Sequence, residues 1–125
     1  MAEAKTYRNF INGEWVASAS GQVFENRNPA DHSEIIGFFQ DSTPEDVDQA
    51  VSAAREAYRR WRLTPAPRRA EYVYKVGEIL IRRKEEYARE VTREMGKILR
   101  EARGDVQDGI DISYYTAGEG RRMAG

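Results

Sequence analysis

The run Thr43-Pro44-Glu45-Asp46 constrains this chain more than any other, because it divides strand-like sequence from helical sequence. A threonine caps free backbone amides at a helix start, and proline suits the first helical position. Two acids then favour the positive end of the helix dipole. Ahead of this run the pattern is extended. Tyr7-Arg8-Asn9-Phe10-Ile11 has strand composition, and Asn12-Gly13 tolerates the positive φ of a tight turn. Glu14-Trp15-Val16 resumes the strand, and Ser18-Ala19-Ser20-Gly21 makes a second turn. Val23-Phe24-Glu25 reads as a return strand, and Asn28-Pro29-Ala30-Asp31 breaks it. Glu34-Ile35-Ile36-Gly37-Phe38-Phe39 is then a third strand.

Three helices are expected behind the divide. The first carries one apolar stripe of Val47, Ala50, Val51, Ala54, Tyr58 and Trp61, at spacings of three and four. Thr64-Pro65-Ala66-Pro67 ends it and opens the next. The second runs from about Pro67 to Met95, with Val73, Val76, Leu80, Tyr87, Val91 and Met95 as its stripe. Gly77 inside it marks close packing of another element, and Gly96 is a left-handed stop. The third starts near Ile98 and carries Leu99, Ala102, Val106, Ile110, Tyr114 and Ala117. Gly104 and Gly109 weaken it in isolation by roughly 1 kcal/mol each. Three short strands are a thin sheet for that much helix. Either the helices pack on each other, or the sheet they cover lies elsewhere.

Composition narrows the function classes. The 125 residues suffice for one domain and are short for two. Twenty basic side chains against 21 acidic ones give a net charge of -1, which offers no general argument for nucleic acid or an anionic membrane. The cluster Arg55, Arg59, Arg60, Arg62, Arg68 and Arg69 reads as a solvated helix end and loop. The chain holds no cysteine, which excludes disulfides, thiolate zinc sites and a cysteine nucleophile within it. The polar start Met1-Ala2-Glu3-Ala4-Lys5 offers no signal-peptide core, and no run has the length to span a bilayer. The expected compartment is the cytoplasm.

Five runs together resemble the aldehyde dehydrogenase superfamily. They are Phe10-Ile11-Asn12-Gly13-Glu14-Trp15-Val16; Asn28-Pro29-Ala30 with Glu34-Ile35-Ile36-Gly37; Asp46-Val47-Asp48-Gln49-Ala50-Val51 with Ala53-Ala54-Arg55-Glu56-Ala57 and Trp61; Glu94-Met95-Gly96-Lys97; and Tyr114-Tyr115-Thr116-Ala117-Gly118. Each run alone is weak, but their order and spacing are specific. They cover the chain from about Tyr7 to Gly125, and only the opening portion of a typical family member.

The resemblance implies an α/β fold in which residues 1–125 are the N-terminal, incomplete part of the nucleotide-binding domain. A β-hairpin and short strand, followed by three helices, would lie against a parallel sheet made by other sequence. It also implies an enzyme that oxidises an aldehyde to an acid with NAD or NADP. A cysteine thiolate attacks the carbonyl, hydride passes to the nicotinamide, and a glutamate activates water. The region from Ala66 to Gly125 looks most like branches acting on semialdehydes of organic acids, such as 2-oxoglutarate semialdehyde. The implied partners are the remainder of the enzyme chain, a small aldehyde and further copies in a homo-oligomer, without nucleic acid or membrane.

None of the catalytic or cofactor-binding parts falls on this chain, so the chain alone is expected to be inactive. Gly118-Glu119-Gly120 follows a helix rather than a strand and is no dinucleotide fingerprint. One site is implied in part by the resemblance. A monovalent cation would take the backbone carbonyls of Asn26 and Arg27 and the carboxylate of Glu94; oxygen ligands suit a hard cation. The plainer reading of Glu94 is a surface acid at a helix C-terminus. His32 reads as solvent-exposed, Trp15 and Trp61 as packing anchors, and Tyr114 and Tyr115 as one buried ring and one edge ring. The alternative to an enzyme segment is an independent helical interaction module, or a remnant subunit without catalysis.

Overall fold

The computed structural model describes residues 5–122, and these divide into two compact units, Met1–Leu63 and Thr64–Gly125. The polar start at Met1-Ala2-Glu3-Ala4 and the last residues, 123–125, lie outside the described residues. The class is mixed α/β: two small antiparallel hairpins precede four helices.

In the first unit, β1 (Asn9–Ile11) and β2 (Glu14–Val16) form a hairpin, with Phe10 opposite Trp15. Asn12 and Gly13 turn it with φ of 52° and 86°, as the Asn-Gly pair anticipates. Ser18–Gly21 turns as expected, closed by the Gly21 amide on the Ser18 carbonyl at 3.0 Å. The next strand departs from expectation. Strand β3 (Val23–Asn28) pairs with β4 (Asp31–Gln40), so four strands in two pairs stand where three short strands were expected. The apolar run Ile35–Phe39 therefore has its partner in the strand immediately before it. The Lys5–Tyr7 segment runs parallel along the other edge of β4. The Tyr7 amide donates to the Phe38 carbonyl at 2.8 Å, and the Phe38 amide to the Lys5 carbonyl at 3.0 Å. Tyr7 stacks on Phe39 with centroids 4.8 Å apart. Helix α1 (Pro44–Trp61) completes the unit, starting at the expected proline.

In the second unit, the expected long helix is two. Helix α2 (Ala66–Arg82) and α3 (Lys84–Met95) are separated at Arg83, whose φ of -110° and ψ of 19° leave the helical region. No proline or glycine announces the break. The apolar stripe continues across it because the break costs only one residue of regular helix. Gly96 ends α3 in the left-handed conformation, φ 71°, with its amide on the Thr92 carbonyl. Helix α4 (Leu99–Glu119) then packs on both α2 and α3. Ala88, Ala102, Val106 and Ile110 form the core of this unit, with Leu80, Tyr87, Val91 and Leu99 packed around them. Gly77 has the role its position suggests: a Cβ there would lie 3.0 Å from the Tyr114 ring and 3.4 Å from Ser113 Cβ.

The aromatic expectations need correcting. Trp15 is 65 % exposed and Trp61 is 43 % exposed, and neither Tyr114 nor Tyr115 is buried. No large side chain among the described residues is fully buried. The fully covered interior is built of alanine, valine and isoleucine, with rings such as Tyr87 only half-buried at its edge.

Candidate functional site

The irregular end of the β3–β4 hairpin holds two of the three residues implied as cation ligands. Asn26 pairs with Gly37, Arg27 with Ile35 and Asn28 with Asp31, so the register shifts on both sides of Arg27. Such a shift takes backbone groups off the regular ladder and re-aims them. Side chains brace the distortion. Arg27 donates Nε to Glu25 Oε1 at 2.5 Å and Nη1 to the His32 carbonyl at 2.6 Å. Asn28 donates Nδ2 to Glu34 Oε2 at 2.7 Å, while its Oδ1 accepts from the Ala30 amide at 2.9 Å. Asn26 is half-buried and Arg27 exposed. His32 is exposed, as expected, and lies in β4 rather than in the turn.

The third residue, Glu94, belongs to the other unit. It is exposed in the last turn of α3, two residues before the left-handed Gly96. A carboxylate there faces the negative end of the helix dipole, which disfavours it. Lys97, just past the stop, is held by Asp105 of α4, Nζ to Oδ2 at 2.5 Å.

One densely bonded polar group of the first unit is one that sequence reading missed. Asp46, at 5 % exposure, sits in the first turn of α1. Its Oδ2 accepts from Ser18 Oγ at 2.5 Å and from the Thr43 amide at 2.8 Å, and its Oδ1 from the Ala19 amide at 3.0 Å. These donors, led by the Ser18 hydroxyl, hold its pKa down at about 2 from the usual 3.8, against an opposing desolvation. Gln40 extends the network: its Oε1 accepts from the Ser18 amide at 2.9 Å and its Nε2 donates to the Tyr7 carbonyl at 2.8 Å. Thr43-x-x-Asp46 spacing signals a helix start, but nothing local tells that the same carboxylate reaches back 28 residues to Ser18.

This arrangement ties the loop after the first hairpin to the first turn of α1. Among the described residues no group of three or more histidine, cysteine, aspartate and glutamate side chains is placed to hold a metal ion. Gly118 and Glu119 lie within α4 and Gly120 caps it, so that run has no strand-to-helix turn in which a dinucleotide phosphate could sit. No helix among the described residues is long and apolar enough to cross a membrane.

The aldehyde dehydrogenase family model matches residues 15–125. This chain belongs to the aldehyde dehydrogenase family. It is 50 % identical over all 125 residues to an alpha-ketoglutaric semialdehyde dehydrogenase of Bacillus subtilis, covering 26 % of that protein. It is 44 % identical, again over its whole length, to malonate-semialdehyde dehydrogenase 2 of Geobacillus thermodenitrificans, covering 26 % of it. The crystal structure of an NAD-dependent aldehyde dehydrogenase from Sinorhizobium meliloti superposes with a TM-score of 0.91 at 29 % identity. That match covers 97 % of this chain and 24 % of the other. The chain thus spans about a quarter of the length of the relatives it matches.

Proposed function

We propose that this chain serves as the opening part of the nucleotide-binding domain of an NAD(P)-dependent aldehyde dehydrogenase, whose substrate is a semialdehyde of an organic acid. The observation that carries the reading is its 50 % identity, over every residue, to a dehydrogenase of alpha-ketoglutaric semialdehyde. A nicotinamide, when bound, accepts the hydride from the aldehyde carbon. This chain's own residues do not make its cradle, since the glycines near the C-terminus sit on a helix end, and no thiol is present to attack the carbonyl. Its contribution is architectural: it supplies the ordered hairpins and the α2–α4 unit. The test is a dehydrogenase assay of this chain together with the rest of an aldehyde dehydrogenase polypeptide. Reduction of NAD or NADP with 2-oxoglutarate semialdehyde, at higher kcat/KM than with malonate semialdehyde, is expected. Activity with neither would overturn the reading. A cytoplasmic, homo-oligomeric enzyme is part of this proposal.

The cation ligands implied by resemblance stand as a second element of it: the Asn26 and Arg27 carbonyls and the Glu94 carboxylate. Sodium or potassium then raises the melting temperature, and Glu94→Gln abolishes the rise. An unchanged cation response in that variant sinks the site.

A second reading has one observation in its favour. Helices α2, α3 and α4 close on a core of their own around Ala88 and Ala102, both fully buried, as an independent helical module would. A monodisperse, cooperatively unfolding monomer or dimer with no affinity for other dehydrogenase sequence would favour it.

A further inference from the structure

The chain has four asparagines, and one of them, Asn12, is followed by glycine. Their surroundings differ as well. Asn9 donates Nδ2 to the Ser42 hydroxyl at 2.9 Å and precedes Phe10. Asn28 engages both side-chain atoms, Nδ2 on Glu34 and Oδ1 with the Ala30 amide. It precedes Pro29, which has no N–H. Asn26 lies half-buried in the ladder opposite Gly37 and precedes Arg27. Asn12 is exposed at the tip of the first hairpin, and its carboxamide makes no hydrogen bond among the described residues. Its neighbour Gly13 leaves the approach open, since even a Cβ there would meet nothing within 4 Å. The hairpin that holds the pair is three residue pairs long. A two-stranded ribbon of that size opens readily, so the turn geometry gives way on a local scale.

We propose that Asn12 is a site of spontaneous deamidation, and that the carboxylate it yields pairs with Arg60 of α1. The Gly13 amide nitrogen gives its proton to solvent and attacks Asn12 Cγ. A Cγ–N bond forms, the Cγ–Nδ2 bond breaks, and Nδ2 takes up a proton and leaves as ammonia. Closure is intramolecular, which favours it over attack by outside nucleophiles. Water is the one co-reactant, and it opens the cyclic imide. Opening at Cγ gives aspartate; opening at the backbone carbonyl carbon gives isoaspartate. Both replace a neutral side chain with an anion. Asn12 lines a groove of about 290 Å³ with Ala53, Glu56, Ala57 and Arg60. Glu56 already lies 3.3 Å from Arg59, whereas Arg60 has no ion-pair partner among the described residues. The aspartyl product therefore meets an uncommitted cation across the groove. The isoaspartyl product adds a methylene to the backbone inside the turn, which spoils the register of Ile11 with Glu14.

The experiment incubates the folded chain in mildly alkaline buffer and follows its tryptic peptides by mass spectrometry. Cleavage after Arg8 and Arg27 releases one peptide holding Asn9, Asn12 and Asn26 and leaves Asn28 in the next, and fragment spectra assign each site. Aspartyl and isoaspartyl products are expected at Asn12, at least about tenfold faster than at any of the other three. Asn12→Gln should abolish the product with circular dichroism unchanged. Conversion at Asn9 as fast as at Asn12 overturns the site. So does an intact Asn12 in the folded chain after a short Ile11–Trp15 peptide has converted fully. The pairing is read by thermal unfolding of a double-mutant cycle, Asn12→Asp with Arg60→Ala. The aspartate should raise the melting temperature more with Arg60 present than with alanine there, and the difference should fade in high salt. An additive cycle at low salt overturns the pairing.

Discussion

Ser18 donates its hydroxyl to Asp46 across 28 residues of chain, Oγ to Oδ2 at 2.5 Å, and so ties the loop after the first hairpin to the first turn of α1. The acid's other oxygen takes the Ala19 amide, and Thr43 supplies the next donor. Three parts of the first unit thus meet on one carboxylate.

That carboxylate makes stability acid-sensitive. Its folded pKa of about 2 lies below the ordinary 3.8 because the Ser18 hydroxyl and then the Thr43 and Ala19 amides favour the charged form. A depressed acid stabilises the fold fully above its unfolded pKa, and the contribution is lost as pH falls through the interval toward the folded value. Asp46→Asn should lower the melting temperature by several degrees at pH 7. The gap to the parent should narrow between about pH 4 and pH 2, as the parent's carboxylate takes up its proton. Thermal unfolding across that range checks it; a constant gap would mean the charge is irrelevant.

Two glycine-to-alanine changes should have opposite signs. At Gly37 a Cβ would lie 2.6 Å from the Tyr7 ring and 2.9 Å from the Lys5 carbonyl, and that carbonyl is held by the Phe38 amide. Gly37→Ala should destabilise by about 1–3 kcal/mol, since the backbone strand must shift. At Gly104 nothing lies within 4 Å, and the residue is exposed inside α4. Gly104→Ala should stabilise by up to about 1 kcal/mol through helix propensity. Urea unfolding of both variants measures the two signs.

Gly77 of α2 lies against the Tyr114 ring of α4. The site has room for the Tyr114 ring and no more, with the ring 3.0 Å from where a Cβ would stand. Gly77→Leu should cost about 1–3 kcal/mol by pushing the helices apart. Tyr114 is 40 % exposed, so removing its ring costs little packing and opens space. The Gly77→Leu/Tyr114→Ala double variant should therefore recover part of the loss, which a double-mutant cycle reads directly.

The chain by itself should reduce neither NAD nor NADP with any aldehyde. With no cysteine among its 125 residues there is no thiolate to form the covalent intermediate on which the proposed chemistry depends. Aldehyde-dependent absorbance at 340 nm (the reduced nicotinamide's band) from pure chain, free of host dehydrogenases, would contradict this.

Local chemistry was legible wherever a few adjacent residues decide the outcome. Asn12-Gly13 turned the hairpin, Pro44 opened α1, and Gly96 closed α3. The order of the five family-like runs also sufficed for the family, because they recur at specific spacing along the whole chain. What escaped depends on partners distant in sequence or on balances between similar energies. Val23–Glu25 has strand composition whichever neighbour it pairs with, so its pairing with β4 was invisible. The break at Arg83 has no proline or glycine to mark it, and an apolar stripe persists through one irregular residue.

By itself, then, the sequence determined the Asn12-Gly13 turn, the start of α1, the stop of α3, the absence of a thiol among these residues and membership of the family. Those properties rest on backbone preferences and residue identities that hold in any surroundings. Tertiary structure alone decided that Asp46 is a latch for Ser18, that Gly77 receives Tyr114, and that Val47, Val51 and Tyr58 stay exposed while Ala50 and Ala53 of α1 are half-buried beside the first hairpin. The physical reason is common to all three. A hydrogen bond or a packing contact needs two groups within a few ångströms of each other, and an apolar stripe states only that a helix has a face to bury, never what arrives to cover it.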